Sequence, residues 1–220
     1  HGGTFEIPRL RVNNRQKDAK SVMANATDAV GINSKVAEQL SGADFDGDTV
    51  LVIPTNNIKV KTKAPLEGLK GFDPKEAYPG YDGMEKMKEK TKQTEMGKVS
   101  NLITDMTLKG ADEDEIVRAV KHSMVVIDAQ KHNLDYKKSY VDNGIKELKI
   151  KYQGVSSNGQ PKGASTLISQ ALSETRIPAR KEYYKVDPKT GKKIFTDTNE
   201  KYFKNGKEVI VKTKTTKMED

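Results

Sequence analysis

Residues 43–53 read Ala43-Asp44-Phe45-Asp46-Gly47-Asp48-Thr49-Val50-Leu51-Val52-Ile53. Three carboxylates fall at i, i+2 and i+4 around one glycine, and the apolar run that follows predicts a buried strand. Alternate residues of an extended segment share a face, so Asp44, Asp46 and Asp48 are expected to converge on one point. Gly47 permits the tight turn that this needs. Like charges held that close are costly unless a cation sits among them. Hard oxygen donors with no His or Cys nearby select Mg²⁺, Mn²⁺ or Ca²⁺ over zinc.

Two other readings compete. An EF-hand loop requires glycine at position six and a bidentate Glu at position twelve, where this stretch has Thr49 and Thr55. An acidic surface turn suits Asp and Gly. Against it, Phe45 interrupts the carboxylates and an apolar run follows directly.

Ala43-Asp44-Phe45-Asp46-Gly47-Asp48 resembles the metal-binding signature of the two-barrel RNA polymerase superfamily, in both the multisubunit enzymes and their single-chain relatives. The resemblance continues upstream through Ala29-Val30-Gly31-Ile32-Asn33-Ser34 and Lys35–Leu40. Downstream, Met96-Gly97-Lys98-Val99-Ser100-Asn101, His122-Ser123 and Asp128-Ala129-Gln130-Lys131 are similar to stretches of the single-chain enzymes. The single-chain branch, which includes phage RNA polymerases and RNA-dependent RNA polymerases, fits best over residues 29–135. Gly42 stands where the cellular motif has asparagine, so the resemblance implies no ribose selection.

What the resemblance implies is a double-psi β-barrel whose loop holds catalytic Mg²⁺, or Mn²⁺, on Asp44, Asp46 and Asp48. It also implies nucleoside triphosphates as substrates and a nucleic acid template and product as partners. A second β-barrel would supply phosphate-facing lysines. Candidate contacts to nucleotide or nucleic acid are Arg9, Arg11, Lys98 and Lys131, with Arg9 and Arg11 alternatively forming an exposed cationic face. Only 43 residues precede Asp44, too few for another complete barrel, so the chain reads as part of a longer polymerase. His1-Gly2-Gly3, with no initiator Met, fits that expectation. A cytoplasmic setting, with a phage-infected bacterium among the hosts, is what the family implies.

Composition sets outer bounds. Hydrophobic residues make up 34% of the 220 and charged residues 32%, which predicts exposed excursions around a modest core. No run of 18 apolar residues argues for a membrane helix. Without cysteine there are no disulfides and no thiolate zinc sites. The formal charge of +8 is concentrated: Arg176–Lys217 holds 13 Lys or Arg against 5 Asp or Glu, and the remainder balances at 26 of each. Such a segment suits phosphodiester binding, or equally a lysine-rich, well-solvated set of hairpins.

The expected class is α+β: a double-psi β-barrel carrying the metal loop, helical insertions and a C-terminal β-hairpin module. Residues 1–64 are assigned to the barrel core, with strands at Thr4–Val12, Asp48–Pro54 and Lys59–Lys63, and a short helix over 35–40 capped by Ser34. Residues 65–150 are assigned to helices: Met84–Leu108 stopping at Gly110, a second from the Asp112–Glu115 acidic start to about Lys131, and a third over Lys138–Lys149 interrupted near Gly144. Their methionines read as core filler, and His122 and His132 as structural or surface residues lacking metal-pair spacing. Residues 151–179 are expected to form a mobile loop at Gln153–Gly163 and a short helix at Ala164–Ser173. Residues 180–220 form the basic module, with turns at Asp187–Gly191 and Asn205-Gly206. Its Tyr183, Tyr184, Phe195, Tyr202 and Phe203 serve either a small core or base stacking.

Two functions follow. The first is the catalytic-barrel part of a Mg²⁺-dependent nucleotidyltransferase adding ribonucleotides to a 3′-hydroxyl. The second is a non-catalytic basic nucleic-acid-binding module that retains the carboxylate loop as a structural or vestigial site.

Overall fold

The computed structural model describes residues 8–24, 26–37, 40, 50–56, 66–180, 183–196, 201–204, 207–210 and 215–218. Helix dominates these residues. Seven helices and a 3-10 turn precede four short strands paired as two separate hairpins.

Helices α1 (Lys17–Met23) and α2 (Ser34–Ala37) are short and carry no buried residue. The cap of α2 is Asn33 and not Ser34: the Asn33 side chain accepts the Lys35 N–H at 3.0 Å, one residue earlier than expected. A 3-10 turn at Glu67–Leu69 leads to α3 (Pro74–Ala77), where Asp73 accepts the Lys75 N–H at 2.7 Å and Pro74 needs no donor of its own. Helix α4 spans Glu89–Leu108 and gives way to left-handed Gly110. The Met84–Lys88 stretch expected within it is not helical. Gly83, at φ +82°, and a Met84 N–H to Tyr81 O bond of 3.0 Å form a turn there, and Met87 enters the core from the segment beyond.

Helix α5 (Glu113–His132) has Glu113, Asp114 and Glu115 in its first turn and Lys131 and His132 in its last, both favourable to the helix dipole. Left-handed Asn133 closes it. Helices α6 (Tyr136–Asp142) and α7 (Ile145–Gln153) are the two halves of the expected third helix, broken at Gly144 with φ +59°.

Two compact units divide the chain. The first comprises residues 1–99 and 111–146. Its hub is α5, against which α3, α6 and the 3-10 turn pack. Tyr78, Met87, Val125, Val126, Ala129 and Leu134 form one buried cluster, with Phe72, Met96 and Tyr136 at its margin. Gly68 is required by this packing, since a Cβ there would lie 2.7 Å from a Val117 methyl.

The second unit comprises residues 100–110 and 147–220 and buries Leu102, Met106, Leu148, Tyr152 and Ile177. The Gln153–Gly163 stretch is a bonded turn: Val155 bridges Pro161, and Lys162 N–H donates to Gly154 O at 2.9 Å. The expected helix at Ala164–Ser173 is a series of turns: Ala171 N–H reaches back only three residues, to Ile168 O, and Leu172 N–H donates forward to Arg176 O at 2.8 Å in place of a helical carbonyl. Beyond it the chain leaves and returns through one root. Ile177 N–H donates to Thr216 O at 3.0 Å, Arg180 N–H to Thr215 O at 3.2 Å, and Met218 N–H to Thr175 O at 2.9 Å. Strands β1 (Tyr183–Val186) and β2 (Lys193–Thr196) pair antiparallel around the expected turn at Asp187–Gly191, and β3 (Lys201–Lys204) and β4 (Lys207–Ile210) also pair antiparallel; Asn205-Gly206, the other expected turn, lies outside the described residues.

The double-psi barrel has no strand among the described residues. Pro8–Val12 and Val50–Pro54 are irregular, and Lys59–Lys63 lies outside the described residues. Val50, Leu51, Val52 and Ile53, expected to be a buried strand, are 43%, 87%, 63% and 41% exposed. A strand exists through its ladder partner, and no described segment pairs with this one. No described helix is long and apolar enough to cross a membrane.

Candidate functional site

Asp44, Asp46, Gly47 and Asp48 lie outside the described residues. Among those described, no group of three His, Cys, Asp or Glu side chains is arranged to hold a metal ion. The chemistry of the aspartate donor set itself, three hard carboxylates without nitrogen or sulfur, fits Mg²⁺ or Mn²⁺. Arg9 and Arg11 are exposed on irregular chain. Lys98, on α4, pairs with Glu95 at 2.7 Å one turn earlier, and Lys131 sits exposed in the last turn of α5.

Two polar clusters within the fold were not anticipated as such. The first centres on Asp105, on the buried side of α4 between Leu102 and Met106, with no solvent exposure. One carboxylate oxygen accepts the Thr166 N–H at 2.9 Å, the Thr166 hydroxyl at 2.7 Å and the Ser169 hydroxyl at 2.5 Å. The other accepts the Ser165 N–H and the Gln153 amide, both at 2.9 Å. Burial, the largest single influence, raises the Asp105 pKa, but the donors of Ser169, Thr166, Gln153 and Ser165 together hold it below the usual carboxylate value. Lys109, one turn along, donates to Tyr152 O and to the Ser165 hydroxyl. Five donors leave this carboxylate no free lone pair to offer a substrate, so its chemistry is that of a clasp. The signal that could have found it is a carboxylate in the apolar stripe of a helix, between Leu102 and Met106.

The second cluster joins α5 to α6. His122 is 2% exposed and its Nδ1 lies 3.0 Å from the Ser139 hydroxyl. Asn143 donates to that hydroxyl at 3.3 Å, to Ser139 O at 2.9 Å and to the Tyr78 hydroxyl at 3.1 Å. With Asn143 donating to it, Ser139 Oγ–H is free to donate to Nδ1, which puts the imidazole proton on Nε2. Tyr140 meets the ring edge-on at 5.7 Å. Burial pulls the His122 pKa from 6.5 down to about 4, against an upward pull from Glu95. The imidazole is therefore neutral and structural, as the sequence suggested.

The basic segment is the third feature. Asp187 braces the β1–β2 turn, accepting the Lys189 N–H at 2.8 Å and the Thr190 hydroxyl at 2.7 Å, while Gly191 N–H returns to Asp187 O at 2.8 Å. Lys189, Lys192 and Lys193 are exposed around this turn. Comparison with protein-family models, curated proteins and solved structures returns no match.

Proposed function

We propose that this chain is the catalytic-barrel part of a Mg²⁺-dependent nucleotidyltransferase of the two-barrel RNA polymerase type. The observation that carries the reading is the Asp44-Phe45-Asp46-Gly47-Asp48 stretch with its apolar continuation. Asp44, Asp46 and Asp48 would hold the ion, and Gly47 would permit their convergence. When bound, the metal supplies a lowered pKa for the attacking hydroxyl and neutralises charge on the phosphate. The apolar Val50–Ile53 run that follows the aspartates supports the reading as a sequence pattern. The surplus charge of Arg176–Lys217 supports contact with a polyanionic template.

Two measurements test the reading. The 220-residue chain is titrated with Mn²⁺ and followed by electron paramagnetic resonance; weak binding that disappears in Asp46→Ala is expected. Ribonucleotide incorporation is then assayed with Mg²⁺ on RNA and DNA templates. The isolated chain is expected to be inactive, and activity is expected once a lysine-bearing second barrel is supplied. Identical Mn²⁺ binding by wild type and Asp46→Ala would remove the metal site. The basic, non-catalytic module would then be the better reading.

A further inference from the structure

The β1–β2 hairpin has no covering layer among the described elements. Each of its strands comes alongside only its partner, and the β3–β4 hairpin forms a separate sheet. Register partners share a face of a ladder, so Val186, opposite Lys193, lies on one face, and Ile194, opposite Lys185, on the other. Val186 is 57% exposed and Ile194 54%, so neither face is closed near the turn. An isolated two-stranded ribbon is marginal in water and gains most from a partner laid against it.

Charge and register say what that partner is. The turn braced by Asp187 presents Lys189 and Lys192 next to Lys193, within a segment carrying the entire +8 excess of the chain. Immediately behind it the register sets Tyr184 opposite Phe195. Cations followed by an aromatic ladder position match a polyanion whose bases are free to stack. In a duplex those bases are already stacked on one another, and a lipid surface offers no rings.

We propose that the β1–β2 hairpin is a contact surface for single-stranded nucleic acid, its lysines on the phosphates and its Tyr184–Phe195 position on the bases. This goes beyond the nucleotidyl-transfer reading and stands without it, because the strand is bound whether or not the aspartates hold a metal.

The test uses the whole chain in EDTA, which keeps the metal loop out of the result. Fluorescence anisotropy is recorded with a labelled oligodeoxythymidine of about 15 nucleotides. A duplex of equal length and phosphatidylglycerol vesicles are run beside it. The single strand should bind at least tenfold tighter than the duplex, with log K falling linearly against log salt. Lys189→Ala/Lys192→Ala/Lys193→Ala should lower that slope by about 2, at about 0.7 per lost phosphate contact. Tyr184→Leu/Phe195→Leu should cost tenfold or more in affinity and leave the slope unchanged. Equal or tighter duplex binding, binding to vesicles alone, or a wild-type slope in the triple lysine variant would overturn the proposal. If the leucine variant loses the hairpin, as read from amide chemical shifts, the lysine slope decides by itself.

Discussion

Asp105 and Ser165 stand 60 residues apart in sequence, yet the Ser165 N–H donates to the buried Asp105 carboxylate at 2.9 Å. Thr166, Ser169 and Gln153 converge on the same group, so one side chain of α4 organises an otherwise irregular stretch of chain. Removing it strands buried donors, which costs more than the net worth of the bonds themselves.

Asp105→Asn keeps the size but turns half of the acceptor into an NH₂ that faces other donors. A loss of about 2–3 kcal/mol is expected, read as a lower urea midpoint with an unchanged m-value. Amide exchange at Ser165 and Thr166 should accelerate more than exchange in α5. The depressed carboxyl pKa also has a sign: its stabilisation is present above the unfolded value of 3.8 and is lost as pH falls through the folded one.

His122 acts higher on the pH scale. Its folded pKa of about 4 lies below the ordinary imidazole value of 6.5, so the unfolded chain binds the extra proton first and stability drops as pH falls below 6.5. About 2 kcal/mol should be lost between roughly pH 7 and pH 5. His122→Gln should flatten that part of the profile, and urea midpoints across the window measure it. An equally steep profile in the variant would assign the proton uptake elsewhere.

Gly80 and Gly97 make a contrasting pair. A Cβ on Gly80 would lie 2.2 Å from Asn133 O, a backbone atom at the cap of α5, and 2.7 Å from its Nδ2. Gly80→Ala should therefore destabilise by about 1–3 kcal/mol. Gly97 lies within α4 with nothing inside 4 Å of its Cβ position, so Gly97→Ala should stabilise by about 0.5–1 kcal/mol. Thermal melts of the two variants should move in opposite directions.

Asp46→Ala, in an assembly competent for nucleotide addition, should lower the incorporation rate by about 10³-fold or more through loss of metal-based charge stabilisation. Without Mg²⁺ its melting temperature should stay level or rise, because removing one of three crowded carboxylates relieves repulsion. Incorporation near the wild-type rate would place the chemistry away from this loop.

Helices α4 to α7 were legible because their signals are local. The acidic start at Asp112–Glu115, the stop at Gly110 and the break at Gly144 each act within one turn of where they stand. The hairpin turn at Asp187–Gly191 was legible for the same reason. What the local pattern hid is non-local. Ala164–Ser173 reads as helix, but Leu172 N–H turns forward to Arg176 O, a carbonyl beyond the segment. Met84 and Met87 share helical spacing, but the core takes Met87 from the segment that follows the Gly83 turn. The aspartate triplet could be read only as chemistry, since donor type and spacing are sequence properties and their convergence is a tertiary one.

The root that pairs residues 175–180 with 215–218 has an architectural consequence. Because entry and exit lie within hydrogen-bond distance of each other, the two hairpins between them are carried on a single root. Closing a longer or shorter insert on that root changes the entropy only logarithmically with length. Whole hairpins can therefore be swapped, duplicated or trimmed at this position while the Asp105 clasp and the α5 hub keep their own contacts. The fold separates the part that is free to diversify from the part that has to stay the same.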